Sequence, residues 1–408
     1  MQNRLNFTTN NRVTNAYSIL LALSAGVWTL TTLILIAAPA MQGVMTSLYV
    51  VVAAVWAIVT FFTAGKGLRL TAPAFVMMAI CLSAYLFTIM YSQYQTSATF
   101  VVFVCEVILS LLMVQTDINA RTFLLTSMLM PLIGLPYISS LFVYVAQEDS
   151  LGMGTSYAFM LPAVCTVVYL MKYFRYDKNI KKFLILLLVG VNLVFMYLIL
   201  SSGSRGVVLS LLFTIVAFYI FPFNEEHSGI KMKSWRSLLL LLIILLAGNY
   251  FWEILDFFSA TLKSVGITIY GLDRTIEFHK AGEVLSGREN IIQIAWEGFI
   301  QKPFWGHGVS TFPDYTDDTY PWIHNSVTQL LFDGGIVLFL LVIYPLVRSI
   351  RQWFRTCSFN DYIMVLALFG ASVPGSLFSH DLWNLPILWM FVGYSLKYYK
   401  NRKQSQIQ

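Results

Sequence analysis

"IHNSVTQLLFDGGIVLFLLVIYPLV", residues 323–347, decides how this chain is read. From Ile336 onward it carries no charge. With the residues before it, the stretch is long enough to cross a hydrocarbon core of roughly 30 Å as a helix. Its opening residues place an imidazole (His324), an amide (Asn325), a carboxylate (Asp333) and a glycine pair at the helix border. What they are for depends on which side of a membrane that border faces.

Composition sets the class. The 408 residues are 58% hydrophobic and 11% charged, with a mean hydropathy of +0.70. An ordinary soluble domain carries about 25% charged residues. The expected fold is therefore an all-α polytopic membrane protein of about twelve transmembrane helices. They fall near 17–39, 44–64, 72–91, 97–115, 122–146, 155–173, 183–203, 206–223, 237–257, 325–346, 360–379 and 383–398. "AAPAMQG" after the first run resembles a signal-peptide cleavage site. That run is longer than a typical signal core, so an uncleaved first helix is expected. Cys81, Cys105, Cys165 and Cys357 lie in or beside apolar segments at unrelated spacings and read as small buried hydrophobes. No zinc, Walker or dinucleotide pattern occurs, so no metal, cofactor or nucleic acid is expected.

Charge placement sets the orientation. With both termini cytoplasmic, 20 of the 26 Lys and Arg fall inside, including five in the "KYFRYDKNIKK" loop from Lys172 to Lys182. The positive-inside rule selects this arrangement over its mirror. The six cations left outside are Arg205, at the outer end of the seventh helix, and Lys263, Arg274, Lys280, Arg288 and Lys302. Those five lie in one long extracytoplasmic loop, 258–324. Four segments result: an N-terminal bundle (1–203), helices leading to the loop (204–257), the loop itself (258–324) and the C-terminal helices (325–408).

Within the loop, Ile291, Ile292, Ala295, Trp296, Phe299 and Ile300 recur at helical spacing, which predicts an amphipathic helix with Arg288 at its N-terminal end. Pro303, Gly306 and Gly308 break it. "FPDYTDDTYPW" (312–322) then mixes carboxylates with flat rings, which suits sugar hydroxyls and sugar faces as well as an ordinary wet loop. Arg205 and Arg288 are candidates to grip a phosphate, with Arg274 and Lys280 weaker ones. His324 is a candidate base, and Gly335, eleven residues on, is expected on nearly the same helical face. Asn325, His380 and Asp381 can support the same external site. His307, between glycines, reads as a mobile turn. The intramembrane carboxylates Glu106 and Asp333 are either functional or locked against polar partners.

Together, "SGSRG", "SGREN…W…P…GHG" and "HNSVTQLLFDGG" on this helix plan resemble the O-antigen ligase and O-antigen polymerase family. Leu338 departs from that family's pattern, which has a small or aromatic residue there. The resemblance implies a GT-C-like fold and a glycosyltransferase of the bacterial cytoplasmic membrane, acting at its outer face without a metal. The implied partners are an undecaprenyl-diphosphate-linked oligosaccharide, an acceptor glycan, the lipid bilayer and a chain-length regulator protein. Arg205 and Arg288 would hold the diphosphate, and His324 would activate the acceptor hydroxyl. A polymerase, whose acceptor is another lipid-linked repeat unit, fits the acidic-aromatic loop better than a ligase acting on lipid A core. A secondary transporter or lipid-glycan flippase shares the twelve-helix plan and is the rival from another class.

Overall fold

The computed structural model describes residues 12–37, 44–63, 65–90, 97–139, 156–176, 182–201, 205–224, 229–230, 251–264, 266, 270–280, 282 and 288–399. It is mostly helical, 79%, with few strands. The helices of the first half are α1 (Arg12–Ala25), α2 (Val27–Ala37), α3 (Val44–Phe62), α4 (Ala72–Ile89), α5 (Ser97–Phe103), α6 (Leu109–Met113), α7 (Ala120–Leu129), α8 (Met160–Tyr176), α9 (Lys182–Ser201) and α10 (Arg205–Ile220). A two-stranded antiparallel pair follows, β1 (Phe223–Asn224) and β2 (Gly229–Ile230). Next come α11 (Phe251–Ser264), α12 (Tyr270–Lys280), α13 (Glu289–Gln301), α14 (Phe312–Tyr315), α15 (Ser326–Thr356), α16 (Phe359–Gly370), α17 (Val373–Ser376) and α18 (Pro386–Leu396).

Several expected spans are interrupted, each for a local reason. Gly26 separates α1 from α2, and the pair bends by 61°. Between α5 and α6 lies a π-helical turn, Val104–Ile108, that holds the buried Glu106. After α7 the chain tightens into a 3₁₀ helix over Met130–Tyr137, where Pro131 and Pro136 remove backbone donors. Among the described residues α4 and α15 are individually long and apolar enough to cross a membrane, and the bent α1–α2 pair makes a third. The expected helix over 237–257 lies outside the described residues except for 251–257, which open α11.

The exposed surface of the helices is apolar: Phe61, Phe62, Phe75, Phe87, Leu186 and Leu212 all face outward. In water such a surface would drive aggregation, whereas lipid tails solvate it. The interior is held by buried aromatics and a few polar ties. Trp383 stacks on Trp389 at 5.3 Å. Gln115 donates to the Gly393 carbonyl at 2.8 Å, and Lys397 to that of Thr116 at 2.8 Å. Asn360 accepts from the Ala120 amide and donates to the Ile118 carbonyl, both at 2.8 Å.

The 258–324 segment builds a small core from Ile291, Ala295, Phe312 and Ile323 with Phe332 of α15. The expected amphipathic helix is α13, with Arg288 as its N-cap residue. Its buried face carries Ile291, Ala295 and Gly298, while Trp296 and Ile300 stay exposed.

Candidate functional site

Asn325 starts α15 because its extended backbone and short amide make an N-cap: its Oδ1 accepts from the Val327 and Thr328 amides. His324, one residue earlier, adopts φ 61°. That left-handed region is uncommon for a residue with a Cβ, although His tolerates it better than most. The turn swings the imidazole off the helix axis. The expectation that His324 and Gly335 share a helical face is therefore corrected, since His324 precedes the helix and Gly335 is not helical.

The turn brings three side chains, and the N-cap of α13 a fourth, onto four consecutive carbonyls at and just past the C-terminal end of α17. Ser326 Oγ donates to Ser376 O at 3.0 Å, and Asn325 Nδ2 donates to Leu377 O at 3.0 Å. Arg288 Nη1 donates to Phe378 O. His324 Nδ1 lies 3.1 Å from Ser379 O. Phe378 O and Ser379 O lie just past the end of α17, and Arg288 and, in one tautomer, His324 donate to them. Arg288 and His324, 36 residues apart in sequence, are thus fixed side by side.

His324 Nδ1 also lies 2.9 Å from Trp322 Nε1, which can only donate. The two neighbours require opposite tautomers. With Nδ1–H given to Ser379 O, Nε2 keeps a lone pair and can accept a proton. With Nδ1 accepting from Trp322, Nε2 carries the proton and can give it. Burial, then the Arg288 charge, push the His324 pKa down to about 4, with the Ser379 contact opposing them. The imidazole is neutral at physiological pH.

Arg288 is half-buried, and burial lowers its pKa while Tyr157 opposes the shift. His380 is buried, and burial, His324 and Arg288 push it down to about 3. Its ring lies 4.1 Å from Tyr157 and 5.5 Å from Trp28, edge-on to both. Tyr157 Oη fills the place that a Cβ on Gly206 would occupy, so a side chain there, at the start of α10 beside Arg205, would have to displace the Tyr157 ring. The Arg205 side chain lies outside the described residues, as does that of Arg274.

The site is clasped to α15 where that helix breaks. Gly335 has φ 61° and ψ −166°, a conformation essentially confined to glycine. The break frees two carbonyls and two amides, and the 303–308 segment takes all four. The His307 amide donates to Phe332 O at 2.9 Å, and the Gly308 amide to Asp333 O at 2.8 Å. In the other direction, the Ile336 amide donates to Pro303 O at 2.8 Å, and the Val337 amide to Phe304 O at 3.3 Å. A Cβ on Gly306 would stand 2.5 Å from the Asp333 carbonyl. Thus "KPFWGHG" and "FDGG" are two halves of one main-chain joint.

His307 is no mobile turn. Its Nε2 contacts Gly298 O at 2.9 Å, and its ring stacks on Phe332 at 4.6 Å. Lys280 is exposed and pairs with Asp256 at 3.2 Å. Asp381 holds its own turn, accepting from Gln329 Nε2, the Trp383 amide and Asn384 Nδ2. Asp333 accepts from Trp383 Nε1 at 2.5 Å, which locks α15 to the turn before α18. Among the described residues no three His, Cys, Asp or Glu side chains gather to hold a metal ion. Sequence reading missed Tyr157 and Trp28, and it placed Trp322 among the loop aromatics without its contact to His324. Only the aromatic beside the His-Asn pair had a visible signal, in "PWIHN".

A helical chain with an apolar exposed surface, in which residues 303–308 are latched to α15 close to a half-buried arginine and a neutral imidazole, defines a class: membrane proteins with a polar site that sets a cation beside an imidazole. Residues 190–343 match a family model described as O-Antigen ligase, which supports the O-antigen ligase/polymerase family for this chain. The match covers Arg205, Arg288 and His324. Members of that family are glycosyltransferase-like enzymes. No curated protein matches the chain.

Proposed function

We propose that the protein is a polysaccharide polymerase of the bacterial cytoplasmic membrane. It transfers an undecaprenyl-diphosphate-linked glycan, at the outer face, to the acceptor sugar of another lipid-linked repeat unit. The observation that carries this reading is the meeting of Arg288 and His324 on adjacent carbonyls within the family-matched segment.

The reaction is a single displacement. The acceptor oxygen forms a bond to the anomeric carbon as the bond from that carbon to the diphosphate oxygen breaks. The acceptor proton passes to His324 Nε2, with Nδ1–H held on Ser379 O. Arg288 and Arg205 take up the charge that develops on the leaving diphosphate. Because the Arg288 charge is one cause of the low His324 pKa, a diphosphate bound to Arg288 cancels it. Donor binding therefore makes the imidazole a stronger base.

The polymerase reading draws support from the path of the acidic-aromatic loop. Asp317 and Asp318 are exposed along it, and it ends at Trp322, whose ring lies 5.2 Å from that of His324. A loop suited to glycan thus borders the base. The second reading is a ligase transferring to lipid A core, favoured by the description of the matched family.

Complementation of a deletion strain tests the assignment. Arg288→Ala and His324→Ala are expected to abolish long-chain polysaccharide on gels while membrane protein levels stay normal. Wild-type product from both would sink the site. Single repeat units on the acceptor after deletion identify a polymerase; bare acceptor with accumulated lipid-linked polymer identifies a ligase. Reconstituted protein given lipid-linked glycan without any gradient makes product as a transferase and none as a transporter.

A further inference from the structure

Beside the diphosphate side of the site lies a cavity that the reaction above does not use. Its polar wall is Trp28, Tyr157 and His380, and its apolar wall includes Leu385, Pro386 and Ile387. The 61° bend at Gly26 places Trp28 there, in the first turn of α2. The His380 ring stands edge-on to both neighbouring aromatics.

Two buried nitrogens in this wall, His380 Nε2 and Trp28 Nε1, have no hydrogen-bond partner among the described residues. His380 itself is 6% exposed. Leaving such groups unsatisfied is costly, so a natural occupant should carry hydroxyls. An isoprenoid would fill the apolar wall but strand both nitrogens. A sugar ring offers apolar C–H faces to the aromatic rings and hydroxyls to the nitrogens. The cavity is small, with room for little more than one water-sized group such as a single sugar hydroxyl.

Position narrows the choice of sugar. Tyr157 touches the start of α10 at Gly206, beside Arg205, and its hydroxyl acts electrostatically on Arg288. The cavity therefore adjoins the residues assigned to the diphosphate, whereas the acidic-aromatic loop meets the site at Trp322. We infer that this cavity seats the hydroxyl-bearing edge of the donor's first sugar, the one bonded to the diphosphate. His380 Nε2 and Trp28 Nε1 act as its reading groups. The inference rests on the lipid-linked donor proposed above.

The test uses the full chain in nanodiscs and two probes: bare undecaprenyl diphosphate, and the lipid-linked repeat unit extracted from a strain lacking this protein. The readout is the preference for the glycan-bearing lipid over the bare one. His380→Phe and Trp28→Phe keep a ring but remove a nitrogen, and each is expected to lower that preference about tenfold, the scale of one lost buried hydrogen bond. His380→Gln, which keeps a hydrogen-bonding amide, is expected to restore part of it. An unchanged preference in both Phe variants overturns the inference, as does an equal loss of binding for the two lipids. Should His380→Phe fail to elute as a folded species, Trp28→Phe and His380→Gln decide alone. If wild-type protein binds neither lipid, the proposed function falls, and this inference with it. Binding of both lipids that is lost in Arg288→Ala keeps the function standing even where the sugar subsite fails.

Discussion

His324 is held by geometry that a helix could not supply. Its left-handed backbone costs on the order of 1–3 kcal/mol, offset by its seat between Trp322 and Ser379. The pH profile should report this seat. With a pKa of about 4 in the free protein, the acid limb of kcat/KM is expected near about pH 4 rather than near 6.5. The limb of kcat, measured with donor saturating, is expected at higher pH because the diphosphate screens Arg288. A limb at 6.5 in kcat/KM would show that burial and Arg288 do not depress His324 in the free protein. Stability follows the same sign. Above the ordinary value of 6.5, folded and unfolded chains both hold these imidazoles neutral. As pH falls from 6.5 toward about 4 for His324 and about 3 for His380, the unfolded chain binds protons that the folded chain does not, and stability is lost. His380→Gln is expected to flatten that acid loss in thermal unfolding followed from pH 7.5 to 4.5.

At the scale of elements, the break in α15 matters more than its length. Gly335→Ala must place a Cβ against the Phe304 carbonyl in a conformation that only glycine adopts readily. A loss of about 3 kcal/mol or more is expected, read as a fall in the unfolding midpoint of purified protein; an unchanged midpoint would mean the clasp contributes little. Asn325→Ala removes both the cap and the Leu377 tie, with an expected cost of about 1–2 kcal/mol. Because the same turn aims His324, kcat is expected to fall further than stability. The sequence showed α13 and its Arg288 terminus plainly, since apolar spacing and breakers are local signals. It pointed to His324 and Gly335 but not to their relation. A helical projection assumes one continuous helix, and only the docking of residues 303–308 shows that the helix is interrupted. His307 misled for the same reason: flanking glycines signal mobility in isolation and close packing once Phe332 and Gly298 are in place.

For the molecule as a whole, composition made the membrane class legible and charge placement gave an orientation. Span number was less legible, because hydropathy does not register the Gly26 bend, the π turn at Glu106 or the 3₁₀ segment after α7. The aromatic residues around His380 come from widely separated parts of the chain, and no local pattern connects Trp28, Tyr157 and His380. Orientation is directly testable. The four native cysteines are all buried, so background labelling by a membrane-impermeant maleimide should be low. Thr319→Cys, exposed in the 312–322 stretch, is expected to react in intact spheroplasts. Reaction only after permeabilisation would place the site in the cytosol and end the glycan-transfer reading. The joint between residues 303–308 and 332–337 has one more consequence. Its four bonds run between main-chain atoms, so apart from its glycines it is indifferent to side-chain identity. Substitutions in the stretch after it are therefore expected to leave the pairing of the two halves in register.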